Sequence, residues 1–138
     1  MLPAVLHPSW ALLALWGLAI FSLGNVLAAV FQLAHCVGEA EFLGIDRVET
    51  DWAEHQVATT VDFAPANALL GWYLGGLNFQ VEHHLFPRVC HLHYPALARI
   101  VEETCRAHGL RYRCKPTLLG ALAANVRWLR RMGAPIAA

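Results

Sequence analysis

At 138 residues the chain suffices for one domain and falls short of two of ordinary size. Lys plus Arg and Asp plus Glu balance at 10 each, and charged residues make up only 14% against 57% hydrophobic; the globular norm is about 25% charged. These figures exclude a disordered tail, a coiled coil and, for want of a basic excess, a nucleic-acid binder. A membrane protein or an unusually apolar soluble domain remains.

No Asp, Glu, Lys or Arg occurs before Glu39. Within that stretch Trp10 to Ala34 is apolar except for Ser22, Asn25 and Gln32, and as a helix it reaches about 37 Å at 1.5 Å per residue, enough to cross a bilayer core of about 30 Å. A signal peptide fits poorly, because no cation precedes the run and the run is too long. A buried core helix would normally be shorter and amphipathic. Residues 1–38 are therefore expected to form a transmembrane helix region, and 39–138 a cytoplasmic helical region.

Every base lies beyond the apolar run, and all but Arg47 fall between Arg88 and Arg131. The positive-inside rule then puts the C-terminal part in the cytoplasm and Met1 to Ser9 on the far side. Every acid except Glu102 and Glu103 falls between Glu39 and Glu82. This split suggests two faces that meet, or a basic skirt against anionic lipid head groups; plain solvated surface is the alternative.

After a loop around Asp46 to Asp51 the chain is again uncharged from Ala66 to Phe79, too short to span a bilayer and expected as a re-entrant, interfacial or buried helix. Pro87 ends the following helix. Pro95 suits a first helical turn, and Leu97, Ile100, Val101 and Cys105 recur at helical spacing until Gly109. A last helix is expected after Pro116, capped by Thr117 and burying Leu118, Leu122, Val126 and Leu129, with Arg127, Arg130 and Arg131 in its final turns near the negative end of the dipole and within reach of lipid phosphates. The four cysteines, Cys36, Cys90, Cys105 and Cys114, form no CxxC pair and read as reduced, buried small residues. A zinc site from Cys90, His91 and His93 matches no common spacing.

Eight histidines are many for this length. In Asn78-Phe79-Gln80-Val81-Glu82-His83-His84-Leu85-Phe86-Pro87, a helix would put Gln80, His83 and His84 on one face at i, i+3 and i+4. Neighbouring imidazoles with a third donor one turn earlier suit iron, copper or zinc, although a His-His pair is more often surface filler. His35 ends the apolar helix, where an ionisable group is a functional candidate; a histidine bonded to a backbone carbonyl is the plain alternative. His55 is equally at home on an exposed loop, and Gln56 follows it. His91 and His93 suit supporting or turn-fixing roles better than direct ligation. His7 and His108 read as incidental. Leu69, Trp72 and Tyr73 could line an acyl tunnel, but that spacing is more often plain core.

Gly75 to Pro87 resembles the third histidine box, QxxHH, of membrane fatty-acid desaturases, and its Gln points to the front-end and linoleoyl-CoA group. His91-Leu92-His93-Tyr94-Pro95, the helix ending at His108-Gly109-Leu110, Phe31 to His35, Asp51-Trp52 and Gln56 to Thr60 also fit, in order. The resemblance implies an all-α fold, a membrane helix followed by a cytoplasmic helical cap. It implies iron as cofactor, two ions in a complete enzyme, held here by His83, His84 and His35, with Gln80 a weaker or water-mediated ligand. It further implies O2-dependent removal of two hydrogens from adjacent methylenes of an acyl-CoA or acyl-lipid, with electrons from a cytochrome-b5-type protein or ferredoxin. An unactivated C–H bond requires such a metal oxidant, since no protein acid or base could break it. The home would be a bacterial plasma membrane or, in a eukaryote, the endoplasmic reticulum.

The family's HxxxH and HxxHH boxes do not occur, nor does a His-Pro-Gly-Gly haem signature. The chain is accordingly expected to be the C-terminal part of a longer desaturase, unable by itself to hold two irons or to turn over. Other readings are a non-catalytic membrane fragment that pairs with a desaturase, and a small membrane haem protein with His35 as an axial ligand. A sphingolipid desaturase or acyl hydroxylase would use the same box.

Overall fold

The computed structural model describes residues 9–40 and 51–134. The segment up to residue 8, with His7, expected on the far side, and the expected loop from 46 to 50 lie outside the described residues. The chain is mainly helical and divides into two compact units, Met1–Val30 and Phe31–Ala138.

Helix α1 (Trp10–His35, 26 residues) is the element that the uncharged sequence demands. Ser9 caps it, its Oγ accepting from Leu12 N at 3.2 Å. Asn25 satisfies its own amide inside the helix by donating to Phe21 O at 2.7 Å. Among the described residues α1 is the one helix long and apolar enough to cross a membrane, with a mean hydropathy of 2.0. Leu15, Trp16, Leu18, Ile20 and Phe21 are all exposed, whereas a soluble core helix would bury such side chains.

The second unit begins with the last turns of α1. Helix α2 (Trp52–Thr59) starts at Asp51, whose Oδ1 accepts from Ala53 N. Two-residue strands β1 (Asp62–Phe63) and β2 (Cys114–Lys115) pair in parallel, Asp62 opposite Cys114 and Phe63 opposite Lys115. This bridge was not foreseen in an all-helical reading. It is too short for hydrophobic periodicity to announce, and it joins segments far apart in sequence.

The uncharged run from Ala66 to Phe79 is helical only over α3 (Ala68–Tyr73). Gly75 and Gly76, at φ 59° and 79°, turn the chain out of the helix. Helix α4 (Gln80–Leu85) follows and stops at Phe86 before Pro87. A 3-10 turn over His91–His93 leads into α5 (Tyr94–Ala107), with Pro95 in its first turn. Gly109, at φ 70°, ends α5, and Leu110 N donates back to Cys105 O at 2.8 Å. Helix α6 (Leu118–Met132) is capped as expected by Thr117, whose Oγ1 accepts from Gly120 N at 3.0 Å.

One core cluster of this unit joins Val37, Ala40, Val61 and Ala124; another joins Val57, Val81, Val101 and Cys105, with Leu85, Leu110 and Tyr112 against it. Burial departs from the sequence reading at several positions. In α6 the buried residues are Ala121, Ala124 and Asn125, while Leu122, Val126 and Leu129 are exposed and Leu118 is half-buried. Small side chains let α6 approach the end of α1 closely enough for the Asn125 amide to donate to Cys36 O at 2.8 Å, just beyond the helix end, and to Gln32 O at 3.4 Å, which also accepts from Cys36 N. In α5 Val101 and Cys105 are buried but Ile100 is exposed. Leu69, Trp72 and Tyr73 are 74%, 75% and 64% exposed, so they form neither core nor an enclosed tunnel among the described residues. All four cysteines are free; Cys105 is buried, Cys36 half-buried, and Cys90 and Cys114 are exposed, contrary to the expectation of burial.

Candidate metal centre

Histidines from two segments distant in sequence meet in the second unit. The rings of His35, in the last turn of α1, and His84, in α4, have centroids 5.1 Å apart; those of His83 and His84 are 5.9 Å apart. Two imidazoles bound to one ion at about 2.1 Å put their ring centres roughly 4.5–6.5 Å apart, so both spacings suit shared or neighbouring ions.

Each ring is oriented through its Nδ1. His84 Nδ1 donates to Gln56 Oε1 at 2.8 Å and His35 Nδ1 donates to Thr59 O at 3.3 Å, both acceptors coming from α2. With the proton committed to Nδ1, the Nε2 lone pair of each is free for a metal. His83 Nδ1 lies 3.4 Å from the Tyr94 hydroxyl at the start of α5. Burial, helped by the nearby His35 and His83 rings, holds the His84 pKa below its ordinary value. His84 is thus a neutral imidazole at pH 7, the form that binds metals.

Gln80 is fully buried. Its amide nitrogen donates to Leu77 O at 2.8 Å, while its Oε1 has no hydrogen-bond partner. A buried acceptor left unpaired costs about 1–3 kcal/mol, so a ligand or metal-bound water at Oε1 would relieve a real penalty. The donor set therefore fits iron in kind. It is incomplete in number: among the described residues, no three His, Cys, Asp or Glu side chains are grouped to hold a metal ion. The zinc alternative at Cys90, His91 and His93 has no such grouping either.

The remaining sequence candidates lie apart from the imidazole cluster or support it. His55 is exposed on α2. Gln56 is the partner of His84. His91 and His93 are exposed on the 3-10 turn, where the His91 Cβ sits against Gly76, 2.6 Å from where a side chain there would begin.

Sequence reasoning missed a buried acid cluster beside the histidines. Asp62 and Glu82 are both fully buried. Asp62 Oδ1 accepts from Val81 N at 2.9 Å, at the start of α4. The Tyr112 hydroxyl donates to Asp62 Oδ2 and lies 3.2 Å from Glu82 Oε1. Burial, then the charge and hydrogen bond of Asp62, push Glu82 up to about 9, so it is protonated at neutral pH. Asp62 is raised as well, by burial, against the lowering effect of its hydrogen bonds to Glu82, Tyr112 and the backbone. The sequence signal was slight: Asp62 stands between apolar neighbours in Val61-Asp62-Phe63-Ala64, while Glu82 is set among the polar residues Gln80, His83 and His84.

The family model described as "Fatty acid desaturase" matches residues 1–116. The chain is 52% identical over 111 residues to the sn-1 linoleoyl-lipid 6-desaturase of Arthrospira platensis, covering 79% of this chain and 30% of that protein. It is 44% identical over 114 residues to the enzyme of the same name from Synechocystis, covering 80% and 32%. To the acyl-lipid (8-3)-desaturase of Physcomitrium patens it is 43% identical over 136 residues, covering 96% and 28%. No solved structure matches. The chain belongs to the fatty acid desaturase family. It spans about a third of the length of the curated relatives it matches.

Proposed function

We propose that this chain contributes the third-box half of a two-iron centre to a membrane acyl-lipid desaturase. The observation that carries the reading is the meeting of His35 with His84 and His83, two of the rings turned by α2 acceptors so that Nε2 is free. His35, His83 and His84 act as iron ligands; the unpaired Oε1 of Gln80 takes a weaker or water-mediated place. Gln56 and Thr59 fix the tautomers, and Tyr94 steadies His83. His55, His91 and His93 touch no iron.

Bound iron supplies the oxidising power to remove two hydrogens from adjacent methylenes at the expense of O2 and two electrons. The protein's part is to hold neutral imidazoles in a fixed orientation and to keep the apolar surroundings dry. An acyl-lipid is favoured over an acyl-CoA as substrate by the names of the relatives, and the electrons come from a cytochrome-b5-type protein or ferredoxin. Helix α1 spans the membrane, and residues 39–138 form the cytoplasmic region; its length and its exposed apolar side chains support this.

The remaining ligands must come from outside these residues, and the chain by itself holds fewer than two irons and does not turn over. The test replaces the matching 30% of the Arthrospira platensis 6-desaturase with this chain and follows iron content and acyl products. Two irons and a desaturated product are expected, both lost in His83→Ala and His84→Ala. A folded chimera that binds iron but is indifferent to those substitutions would overturn the assignment. Turnover by the isolated chain would overturn its incompleteness.

A further inference from the structure

Helix α6 has three faces, of which the iron centre uses none. Ala121, Ala124 and Asn125 are buried against the second unit. Next around the helix come Leu119, Leu122, Val126 and Leu129, exposed by 77%, 40%, 45% and 46%. Arg127 and Arg130 follow on the remaining arc with Arg131, and the three line an open cleft. The helix contains no acid. A solvated helix would not keep four large apolar side chains in a row, and a core helix would have buried them.

The position of α6 identifies what covers this face. Asn125 ties it to the Gln32 and Cys36 carbonyls, and the Arg131 guanidinium lies over Gly38, so α6 crosses the C-terminal end of α1. A spanning helix of 26 residues is about 39 Å long and ends at the head-group boundary. There an apolar stripe flanked by arginines matches acyl chains on one side and phosphates on the other. The nearby acid Glu39 is paired with Lys115 at 2.5 Å, leaving the arginine arc strongly basic.

We infer that α6 is an interfacial helix that lies in the cytoplasmic head-group layer, its leucine stripe among acyl chains and Arg127 and Arg130 on anionic phospholipid phosphates. The inference rests on α1 spanning the bilayer. It adds a lipid-recognition surface separate from the histidine cluster.

The test places a benzophenone side chain at Leu122 or Val126 and, in a separate variant, at Leu18 of α1. Each full chain is reconstituted in equal phosphatidylglycerol and phosphatidylcholine, irradiated, and its adducts weighed. Phospholipid adducts are expected at all three positions. At Leu122 and Val126 phosphatidylglycerol should exceed phosphatidylcholine roughly fivefold, falling to near parity with Arg127→Gln and Arg130→Gln together. Lipid adducts at Leu18 but protein adducts or none at the α6 positions would overturn the inference and leave α1 as a span. Adducts without lipid preference would overturn the part given to the arginines. Lipid adducts at no position would overturn the membrane reading of α1 as well.

Discussion

Tyr112 is the residue on which the buried acids depend. Its hydroxyl donates to Asp62 and lies beside Glu82, and Asp62 in turn accepts from Val81 N at the first turn of α4, the helix that presents His83 and His84. Tyr112→Phe keeps the ring against Val57, Val81 and Val101 but strips both carboxyls of a polar neighbour. Leaving buried polar groups unpaired costs about 1–3 kcal/mol, so the variant should unfold at visibly lower temperature in detergent with its helicity otherwise unchanged. A loss below about 0.5 kcal/mol would mean that water or an internal shift replaces the hydroxyl.

At the scale of the element, the turn between α3 and α4 separates two neighbouring glycines. Gly75 and Gly76 both have positive φ, but a Cβ at Gly75 meets open space, whereas one at Gly76 would lie 2.6 Å from His91 Cβ and 3.2 Å from Tyr94 Cδ2. Gly75→Ala should cost about 1–2 kcal/mol for the left-handed backbone alone. Gly76→Ala should cost clearly more, and because Tyr94 neighbours His83, it should also reduce iron binding by the chimera; equal costs would deny the close packing. Helix ends of this kind were legible in the sequence: Pro95, Gly109 and Thr117 each mark a boundary where the structure has one. Helical spacing and the end of an uncharged run singled out His35, His83 and His84, and the structure brings their rings near one another. The packing face of α6 was not, because apolar residues occupy most of its circumference and close approach through Ala121 and Ala124 decided the matter. Asp62 and Tyr112 were illegible for another reason, as was the pairing of Gln56 with His84: each acts on a partner distant in sequence, and local periodicity carries no trace of tertiary pairing.

For the molecule as a whole, the separation of acids in the first half from bases in the second is bridged, among the described residues, by the pair of Glu39 and Lys115, whose side chains are 29% and 21% exposed. Burial alone would raise the Glu39 pKa, but the hydrogen bond and charge of Lys115, with Arg127 farther off, more than reverse it and leave the carboxyl below its ordinary value. A carboxylate with a depressed folded pKa binds fewer protons in the native state than in the unfolded one. Its contribution is therefore complete above the unfolded value near 4.5 and is lost as pH falls through the lower folded value. Glu39→Gln removes that dependence without changing the side chain's shape. Wild type should be the more stable of the two at pH 7, with the difference shrinking below pH 4.5 or so as Glu39 takes up its proton. Thermal unfolding of both proteins across that range decides it: a difference that stays constant with pH, or grows in acid, would show that the pair joining the two halves of the charge distribution adds nothing to the fold.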